Sequence, residues 1–315
     1  MPKILVTPRS LTSAGHPALD RLVQAGFEIV SGPAGRMPDA DDLSRLLPGC
    51  VGWLAGVERI NDDVLAAAPD LRVIARNGTG VDTIDLAAAR RRGVEVRRAE
   101  GANARGVAEL TIGLIIALAR SIPCSDAAIK AGGWQRHQGI ELEGRTLGIV
   151  GCGKIGRLVA GLARGLGMRV VGHDPFATAD PELPLLPLDD LVAASDVITL
   201  HCPPATDGSP LLDARRLARV KPGMILVNTA RHELVDVPAL VAAIDGGLVA
   251  GAALDVFDTE PPTDRGYLAS PRIIATPHVG GFTAESVGRA VDVAVDNLLD
   301  VLGRGPVPAK ETIDS

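Results

Sequence analysis

The chain has 315 residues, a hydrophobic content of 46% and a formal net charge of −6. This length suggests about two domains, and the negative charge argues against a general nucleic-acid binder. Aromatic residues make up only 2%. We therefore expect aliphatic cores, which suit parallel strands that are buried on both faces.

The cysteines and the apolar runs indicate the cellular compartment in which we expect the protein. Cys50, Cys124, Cys152 and Cys202 show neither metal-ligand spacing nor a disulfide framework, so we expect no metal, reduced thiols and a cytoplasmic protein. The apolar run at the N-terminus is too short for a signal peptide. The longest apolar stretch, 110–119, is too short to cross a bilayer and predicts a buried helix. We expect neither a membrane nor a nucleic-acid partner.

The first part of the chain alternates apolar strands with helices, which predicts a parallel sheet. Gly26 and Gly93 stand where helices should end, because glycine adopts the left-handed C-cap conformation without strain. The predicted strands are Lys3–Thr7, Phe27–Val30, Val51–Leu54, Arg72–Ala75 and Val94–Val96. The predicted helices are Pro17–Ala25, Ala40–Leu47, Asp62–Ala67 and Asp85–Arg92.

A long apolar helix, Asn103–Ser121, and a linker through Gly132-Gly133 lead into a second α/β part. A final helix, Ala284–Leu302, is too short to be a domain and is expected to pack on the first part. The six strands predicted between them are Leu147–Val150, Arg169–His173, Asp196–Leu200, Met224–Asn228, Val249–Leu254 and Arg272–Ala275. This number of strands resembles a dinucleotide-binding sheet.

A glycine-rich loop follows the strand at Leu147. It reads Gly151-x-Gly153-x-x-Gly156, and Asp174 ends the next strand, 18 residues beyond Gly156. The three glycines permit a tight turn, close approach of a pyrophosphate, and close packing of helix on strand. An acid at this position accepts hydrogen bonds from a ribose 2′-hydroxyl and repels a 2′-phosphate, which favours NAD over NADP. The alternative is a plain βαβ turn.

These features predict an α/β chain with two doubly wound parallel-sheet domains. A Rossmann cofactor domain, residues 100–282, is inserted into a flavodoxin-like substrate domain, residues 1–99 plus 283–315. Ligands of such sheets bind beyond the carboxyl ends of the strands.

Three charged or titratable side chains follow successive strands of the second part. Arg231 could hold a carboxylate with two parallel N–H donors. His278 could transfer a proton near neutral pH, and Glu260 could orient it. Each has an ordinary alternative as a surface ion pair, a turn residue or a loop histidine. In the first part, the loop Gly78–Asp82 could form an anion-binding nest or a simple glycine turn.

Six motifs together resemble the NAD-dependent D-2-hydroxyacid dehydrogenases, particularly the branch similar to phosphoglycerate dehydrogenase. The resemblance spans nearly the whole chain and implies two domains with a cleft between them. It also implies NAD as cofactor, a small 2-hydroxyacid or 2-oxoacid as substrate, and a homodimer around the cofactor domain through the 103–120 region. The motifs are Gly78-Thr-Gly-Val-Asp, Val107-Ala-Glu-Leu-Thr-Ile-Gly, Gly148-Ile-Val-Gly-Cys-Gly-Lys-Ile-Gly, Val227-Asn-Thr-Ala-Arg, Ala253-Leu-Asp-Val-Phe and Thr276-Pro-His-Val-Gly-Gly.

The resemblance also assigns residues. It implies that Arg231, Glu260 and His278 are catalytic. The substrate contacts that it implies are Asn77, Gly78, Thr79 and Gly80. The implied cofactor contacts are Gly151, Gly153, Lys154, Ile155, Gly156, Asp174, Cys202, Pro203, Thr229, Ala230, Asp255, Gly280 and Gly281.

Some positions depart from the relatives. Ala55-Gly56 stands where phosphoglycerate dehydrogenases commonly carry Arg-Ser, which removes a phosphate ligand. His232-Glu233 replaces a frequent Gly-Gly, and the sequence does not decide whether this pair faces the substrate. Glu260 argues against the formate dehydrogenase branch, which places Gln beside its His.

The substrate stays open at this point. Phosphoglycerate dehydrogenase proper is one alternative, and an unusual inorganic substrate, as in relatives similar to phosphite dehydrogenase, is another. A third is an NAD(H)-sensing binding protein similar to transcriptional corepressors, because fold does not fix function.

Overall fold

The computed structural model describes residues 1–178 and 180–304, which form two compact units. One unit contains Met1–Asn103 and the C-terminal helix Ala284–Gly303, and the other contains Ala104–Thr283. Each unit has its own sheet, and every strand pairing in both sheets is parallel. The predicted class of two parallel-sheet α/β domains is confirmed.

The first unit has a five-stranded sheet. The strands are β1 (Lys3–Val6), β2 (Glu28–Ser31), β3 (Cys50–Ala55), β4 (Val73–Arg76) and β5 (Glu95–Arg98). Their order is β2-β1-β3-β4-β5, which is the flavodoxin-like order. The helices are α1 (Arg9–Ala14), α2 (Asp20–Gln24), α3 (Ala40–Leu46), α4 (Asp62–Ala66) and α5 (Leu86–Arg91), with a 3₁₀ turn at Pro17–Leu19.

Side-chain caps and apolar stripes explain these helices. Asp39 and Asp42 form a capping box at the start of α3, and Asn61 and Asp85 cap α4 and α5. The helix Ala284–Gly303 packs against this sheet through an apolar stripe at i, i+3, i+4 and i+7. The stripe consists of the fully buried side chains Val291, Ala294, Val295 and Leu298.

The second unit begins with α6 (Ala104–Ala119) and α7 (Ile122–Lys130). Its strands are β6 (Thr146–Val150), β7 (Arg169–His173), β8 (Val197–Leu200), β9 (Met224–Asn228), β10 (Val249–Leu254) and β11 (Ile273–Ala275). Its other helices are α8 (Lys154–Gly165), α9 (Leu188–Ala194), α10 (Ala214–Leu217) and α11 (Val237–Asp245), with 3₁₀ turns at His232–Leu234 and Tyr267–Ala269. The chain then continues into α12 (Ala284–Gly303) of the first unit.

The order of this sheet is β11-β10-β9-β8-β6-β7, so all six predicted strands are present. A short extended segment at 184–186, which we did not predict, pairs with the outer side of β7. The Gly172 N–H donates to the Pro184 carbonyl at 2.8 Å, and the Leu186 N–H donates to the Gly172 carbonyl at 2.8 Å. With this segment as the third strand, the sheet has the dinucleotide-binding order 3-2-1-4-5-6, followed by one more strand.

Helix α7 corrects our prediction of a linker after Ser121. Ser121 adopts a left-handed conformation (φ +50°), and a second helix begins at Ile122 with Pro123 in its first turn. Proline is tolerated there because an N–H in the first turn has no intrahelical partner. Within the described ranges no single helix is long and apolar enough to cross a membrane, although α6 and α7, bent by 64°, meet that criterion together.

Candidate active site and cofactor site

The glycine loop between β6 and α8 has the three distinct environments that we predicted. A Cβ on Gly151, where φ is +94°, would lie 2.4 Å from the His201 carbonyl oxygen. A Cβ on Gly156 would lie 2.1 Å from the Gly151 carbonyl oxygen. A Cβ on Gly153 would meet no heavy atom within 4 Å, because this residue faces open space at the N-cap of α8. The fold thus requires Gly151 and Gly156, whereas Gly153 leaves room for a ligand against the backbone.

Asp174 lies directly beside this loop. Its carboxylate accepts the Cys152 N–H at 2.9 Å through one oxygen and the Phe176 N–H at 2.9 Å through the other. Each oxygen retains a lone pair for a further donor. The backbone therefore fixes the carboxylate at the end of β7, in the position expected of a ribose-binding acid.

Two cysteines lie near Asp174: the buried Cys152 in the loop and the half-buried Cys202 after β8. Burial, with a further contribution from the Asp174 charge, raises the pKa of each thiol, Cys152 and Cys202, to about 11. Both thiols therefore stay protonated near neutral pH and act as small apolar side chains. Pro203 beside them is exposed, as is Lys154 at the start of α8, while Ile155 is half-buried.

The imidazole of His201, the residue before Cys202, is placed for a structural role. Its Nε2 lies 3.0 Å from the Thr199 hydroxyl, and its Nδ1 is buried without a hydrogen-bond partner in the described part of the chain. Burial lowers the pKa of this imidazole to about 3. The ring is therefore neutral, and its backbone carbonyl forms the wall against which Gly151 packs.

Asn228, which we did not single out from the sequence, shapes the loop that carries Arg231. The Asn228 side chain is buried, donates to the Arg231 carbonyl at 2.8 Å and accepts the Ala230 N–H at 3.0 Å. The Thr229 hydroxyl lies 3.2 Å from that of Thr111 in α6. An asparagine directly after an apolar strand was the available signal, because its amide often bonds to nearby backbone.

Asp255 organises the loop after β11. The carboxylate is 1% exposed and accepts three hydrogen bonds: from the Thr276 hydroxyl at 2.6 Å, the Val279 N–H at 2.9 Å and the Gly280 N–H at 2.8 Å. We predicted Asp255 and Gly280 as cofactor contacts. These bonds place the Asp255 carboxylate and the Gly280 N–H in the support of the loop, and the half-buried Gly281 follows directly. Their contact with a cofactor stays a prediction.

Glu260 and His278, from the loops after β10 and β11, form a side-chain pair. The His278 Nδ1 lies 2.9 Å from each Glu260 carboxylate oxygen. His278 has φ +52°, a conformation that is uncommon outside glycine. Its side chain is 50% exposed and that of Glu260 is 40% exposed. With Nδ1 turned to the carboxylate, Nε2 is the ring nitrogen that can exchange a proton with a ligand.

Arg231 lies at the carboxyl end of the neighbouring strand. The residue is half-buried, and its Nη1 donates to the Ala230 carbonyl at 2.7 Å. Since β9, β10 and β11 are adjacent in the sheet, the three predicted catalytic residues come from the same edge of this unit. The residue after Arg231, His232, is half-buried, and Glu233 is exposed.

The first unit carries the predicted substrate loop after β4. The Gly78 N–H donates to the Arg76 carbonyl at 2.8 Å, so this N–H is not available to the anion-binding nest that we predicted. The Thr79 hydroxyl accepts from the Asn103 amide at 3.4 Å, and Gly80 is half-buried. The Asn77 side-chain oxygen is buried without a partner in the described part of the chain.

The Arg76 guanidinium contacts the backbone of this loop. Its Nη1 donates to the Asn77 carbonyl at 2.5 Å, and a Cβ on Gly78 would lie 2.8 Å from the same nitrogen. Burial lowers the pKa of the Arg76 guanidinium, while Glu58 and Asp82 oppose that shift. Glu58 is 3% exposed, and its carboxylate accepts the Gly56 N–H at 2.9 Å and is hydrogen-bonded by the Thr7 hydroxyl. Glu58 is a second polar residue that we did not predict.

The residues of the second unit fit NAD. Open space before Gly153, a helix N-terminus behind it and the fixed Asp174 carboxylate supply the features that a pyrophosphate and a ribose require. Within residues 1–178 and 180–304, no group of three or more His, Cys, Asp or Glu side chains is arranged to hold a metal ion.

Comparison with known proteins agrees with this arrangement. Residues 112–280 match the family model of the D-isomer specific 2-hydroxyacid dehydrogenase, NAD binding domain. The chain is 42% identical over 274 residues to D-3-phosphoglycerate dehydrogenase of Mycobacterium tuberculosis, which covers 84% of this chain and 52% of that protein. The chain thus spans about half the length of the curated relatives that it matches.

Two solved structures are similar over nearly the whole chain. A protein of Thermus thermophilus superposes with a TM-score of 0.86 at 39% identity, covering 97% of this chain and 98% of that one. The NAD⁺-bound 3-phosphoglycerate dehydrogenase of Entamoeba histolytica superposes with a TM-score of 0.82 at 27% identity, covering 99% and 98%.

Proposed function

The chain belongs to the D-isomer-specific 2-hydroxyacid dehydrogenase family, and on this premise we propose that it interconverts a small D-2-hydroxyacid and its 2-oxoacid with NAD as cofactor. The observation that carries the proposal is the Glu260–His278 pair, in which both carboxylate oxygens lie 2.9 Å from Nδ1. A carboxylate that holds Nδ1 in this way prepares Nε2 for proton transfer.

The three residues divide the work of this reaction between proton transfer, orientation and substrate binding. The His278 Nε2 accepts the hydroxyl proton during oxidation and returns it during reduction, while Glu260 stabilises the protonated ring. Arg231 holds the carboxylate of the substrate and polarises the oxygen at C2. These roles need a proton acceptor, an orienting acid and a cation, and the ends of three adjacent strands provide them.

The cofactor is held by the glycine loop and Asp174. The Gly153 backbone and the first turn of α8 would hold the pyrophosphate, and Asp174 would accept a hydrogen bond from the adenosine ribose. When bound, NAD would accept the hydride that leaves C2 of the hydroxyacid. Asp255 acts through the backbone of Val279 and Gly280, because its hydrogen bonds fix the loop on which His278 stands.

The substrate is a 2-oxoacid without a phosphate. The loop after β3 carries Gly56, and its N–H is occupied by the buried Glu58 carboxylate. The Glu58 carboxylate therefore takes a backbone donor that a phosphate at this strand end would need. The second candidate is D-3-phosphoglycerate dehydrogenase, which the 42% identity to the mycobacterial enzyme favours.

A panel of NADH-oxidation assays tests these alternatives. We expect turnover with at least one of pyruvate, glyoxylate, hydroxypyruvate, oxaloacetate and branched 2-oxoacids. We expect kcat/KM for 3-phosphohydroxypyruvate to be lower, because Ala55-Gly56 offers no side-chain phosphate ligand and Glu58 occupies the Gly56 N–H. A higher kcat/KM for 3-phosphohydroxypyruvate than for the other 2-oxoacids would instead support D-3-phosphoglycerate dehydrogenase. NADH binding without turnover on any member would contradict the enzyme and support an NAD(H)-sensing protein.

The resemblance places a homodimer interface in the 103–120 region, and we propose that this interface extends into α7. Helix α7 has no buried side chain, and its apolar residues Ile122 and Ile129 are 49% and 54% exposed. Trp134, just beyond the helix, is 82% exposed. Several exposed apolar side chains within one short segment are typical of protein interfaces.

Charge substitutions on this apolar surface test the proposed dimer. The double variant Ile129→Glu, Trp134→Glu places two charges on this apolar surface and should halve the mass measured by light scattering at micromolar concentration. The control is Val23→Glu, since Val23 is 53% exposed on α2 of the first unit and its variant should keep the wild-type mass. A monomeric wild-type protein, or a double variant of unchanged mass, would contradict the proposed interface.

The four free cysteines support a cytoplasmic location, because unpaired thiols persist in a reducing compartment. Cell fractionation tests this part of the proposal, and recovery in an extracellular or membrane fraction would contradict it.

A further inference from the structure

Arg157 lies near the predicted ribose site and is paired with an acid. It stands in the first turn of α8, and its Nη1 is hydrogen-bonded to the Asp180 carboxylate in the loop after β7. The other Asp180 oxygen accepts the Glu182 N–H at 3.0 Å. Backbone on one side and guanidinium on the other therefore fix this carboxylate.

The glycine loop connects this ion pair with Asp174. The Cys152 N–H in the loop donates to the Asp174 carboxylate at 2.9 Å, and the Arg157 N–H donates to the Gly153 carbonyl of the same loop at 3.0 Å. Beyond burial, the pKa of the Cys152 thiol is raised by the charges of Asp174 and Asp180 and lowered by that of Arg157. These effects agree with the placement of the three charged residues around the glycine loop. Arg157 is thus a cation in the first turn after the loop that Asp174 contacts.

We propose that the ion pair between Arg157 and Asp180 helps the chain to select NAD over NADP. Asp174 receives the ribose 2′-hydroxyl, and Asp180 holds the guanidinium of Arg157 so that this cation does not bind a 2′-phosphate. Selectivity is then set by two carboxylates, one that acts on the ligand directly and one that acts through Arg157. This inference rests on the proposed cofactor site.

The physical basis is competition for one guanidinium. An arginine binds a phosphate through parallel, charge-assisted N–H bonds, and such bonds are among the stronger polar contacts in proteins. Arg157 is 43% exposed and Asp180 is 29% exposed, so the pair is weak as a contribution to stability. Its effect on ligand choice is larger, because it decides where the cation points.

Binding of two nucleotide fragments tests the inference without turnover. The Kd values of 2′,5′-ADP and 5′-ADP are measured by calorimetry for wild type and Asp180→Ala. We expect Asp180→Ala to bind 2′,5′-ADP about tenfold more tightly, since one charge-assisted bond to phosphate is gained. In the double variant Asp180→Ala, Arg157→Gln, that gain should disappear.

A neighbouring ion pair of the same kind provides the matched control. Arg164, two turns further along α8, pairs with Glu182 at 3.0 Å, and Glu182→Ala should leave the ratio of the two Kd values unchanged. The inference is overturned if Asp180→Ala does not tighten 2′,5′-ADP binding, or if the gain survives the loss of Arg157. Failure of wild type to bind 5′-ADP and NADH would refute the proposed cofactor site instead.

Discussion

Replacement of His278 by alanine should lower kcat for the best 2-oxoacid by about 10²- to 10⁴-fold, the range for loss of a general acid–base group. The reason is that Nε2 is the proton donor in reduction and no neighbouring group replaces it in this proposal. The Kd for NADH should change little, because the glycine loop and Asp174 hold the dinucleotide. Steady-state kinetics and NADH fluorescence titration measure the two quantities separately.

The variant Glu260→Gln distinguishes two effects of Glu260: the orientation of the His278 ring and the negative charge beside it. Glutamine can still hydrogen-bond to the His278 Nδ1, but it carries no charge to stabilise the protonated ring. We expect a loss of kcat that is smaller than that of His278→Ala and a comparable KM. The control is His137→Ala, since His137 is an exposed histidine outside the strand-end loops, and full activity is expected. Near-wild-type turnover of His278→Ala would refute its assignment as the proton-transfer group.

The fold was largely accessible from the sequence because its signals are local. Apolar runs bounded by glycine predicted the strands of both sheets, and the Gly151–Gly156 spacing predicted the loop that the structure shows. Helix α7 was missed because Pro123 indicates a helix end and a first helical turn equally well. The extended segment at 184–186 was missed because proline and leucine there show no strand periodicity.

The candidate site was accessible only in part, since the roles of its support residues depend on long-range contacts. His278 and Glu260 could be proposed from their places after successive strands. The sequence does not reveal that Asp255 accepts hydrogen bonds from residues 21 to 25 positions away. Nor does it reveal that Glu58, in a short polar segment, becomes buried against Gly56.

The three glycines of the loop should respond differently to alanine, and Gly153→Ala is the informative variant. Gly153 has φ −75° and ψ −158°, an extended conformation that alanine adopts readily, and its Cβ would meet nothing within 4 Å. The free energy of unfolding in urea should therefore change by less than about 0.5 kcal/mol. The Kd for NADH should rise about tenfold or more, because the new methyl group occupies the space through which a pyrophosphate approaches the backbone.

Two further substitutions in the same region complete the argument. Gly161→Ala lies on an exposed turn of α8 with nothing within 4 Å of its Cβ; it should leave the NADH Kd unchanged and add about 0.5–1 kcal/mol of stability. Gly156→Ala would place its Cβ 2.1 Å from the Gly151 carbonyl oxygen and should disrupt the fold itself. If Gly153→Ala bound NADH as tightly as Gly161→Ala does, the open space before Gly153 would not be the pyrophosphate site. If only Gly153→Ala raised the NADH Kd and its free energy of unfolding stayed unchanged, the cofactor would occupy the space where a Cβ on residue 153 would lie.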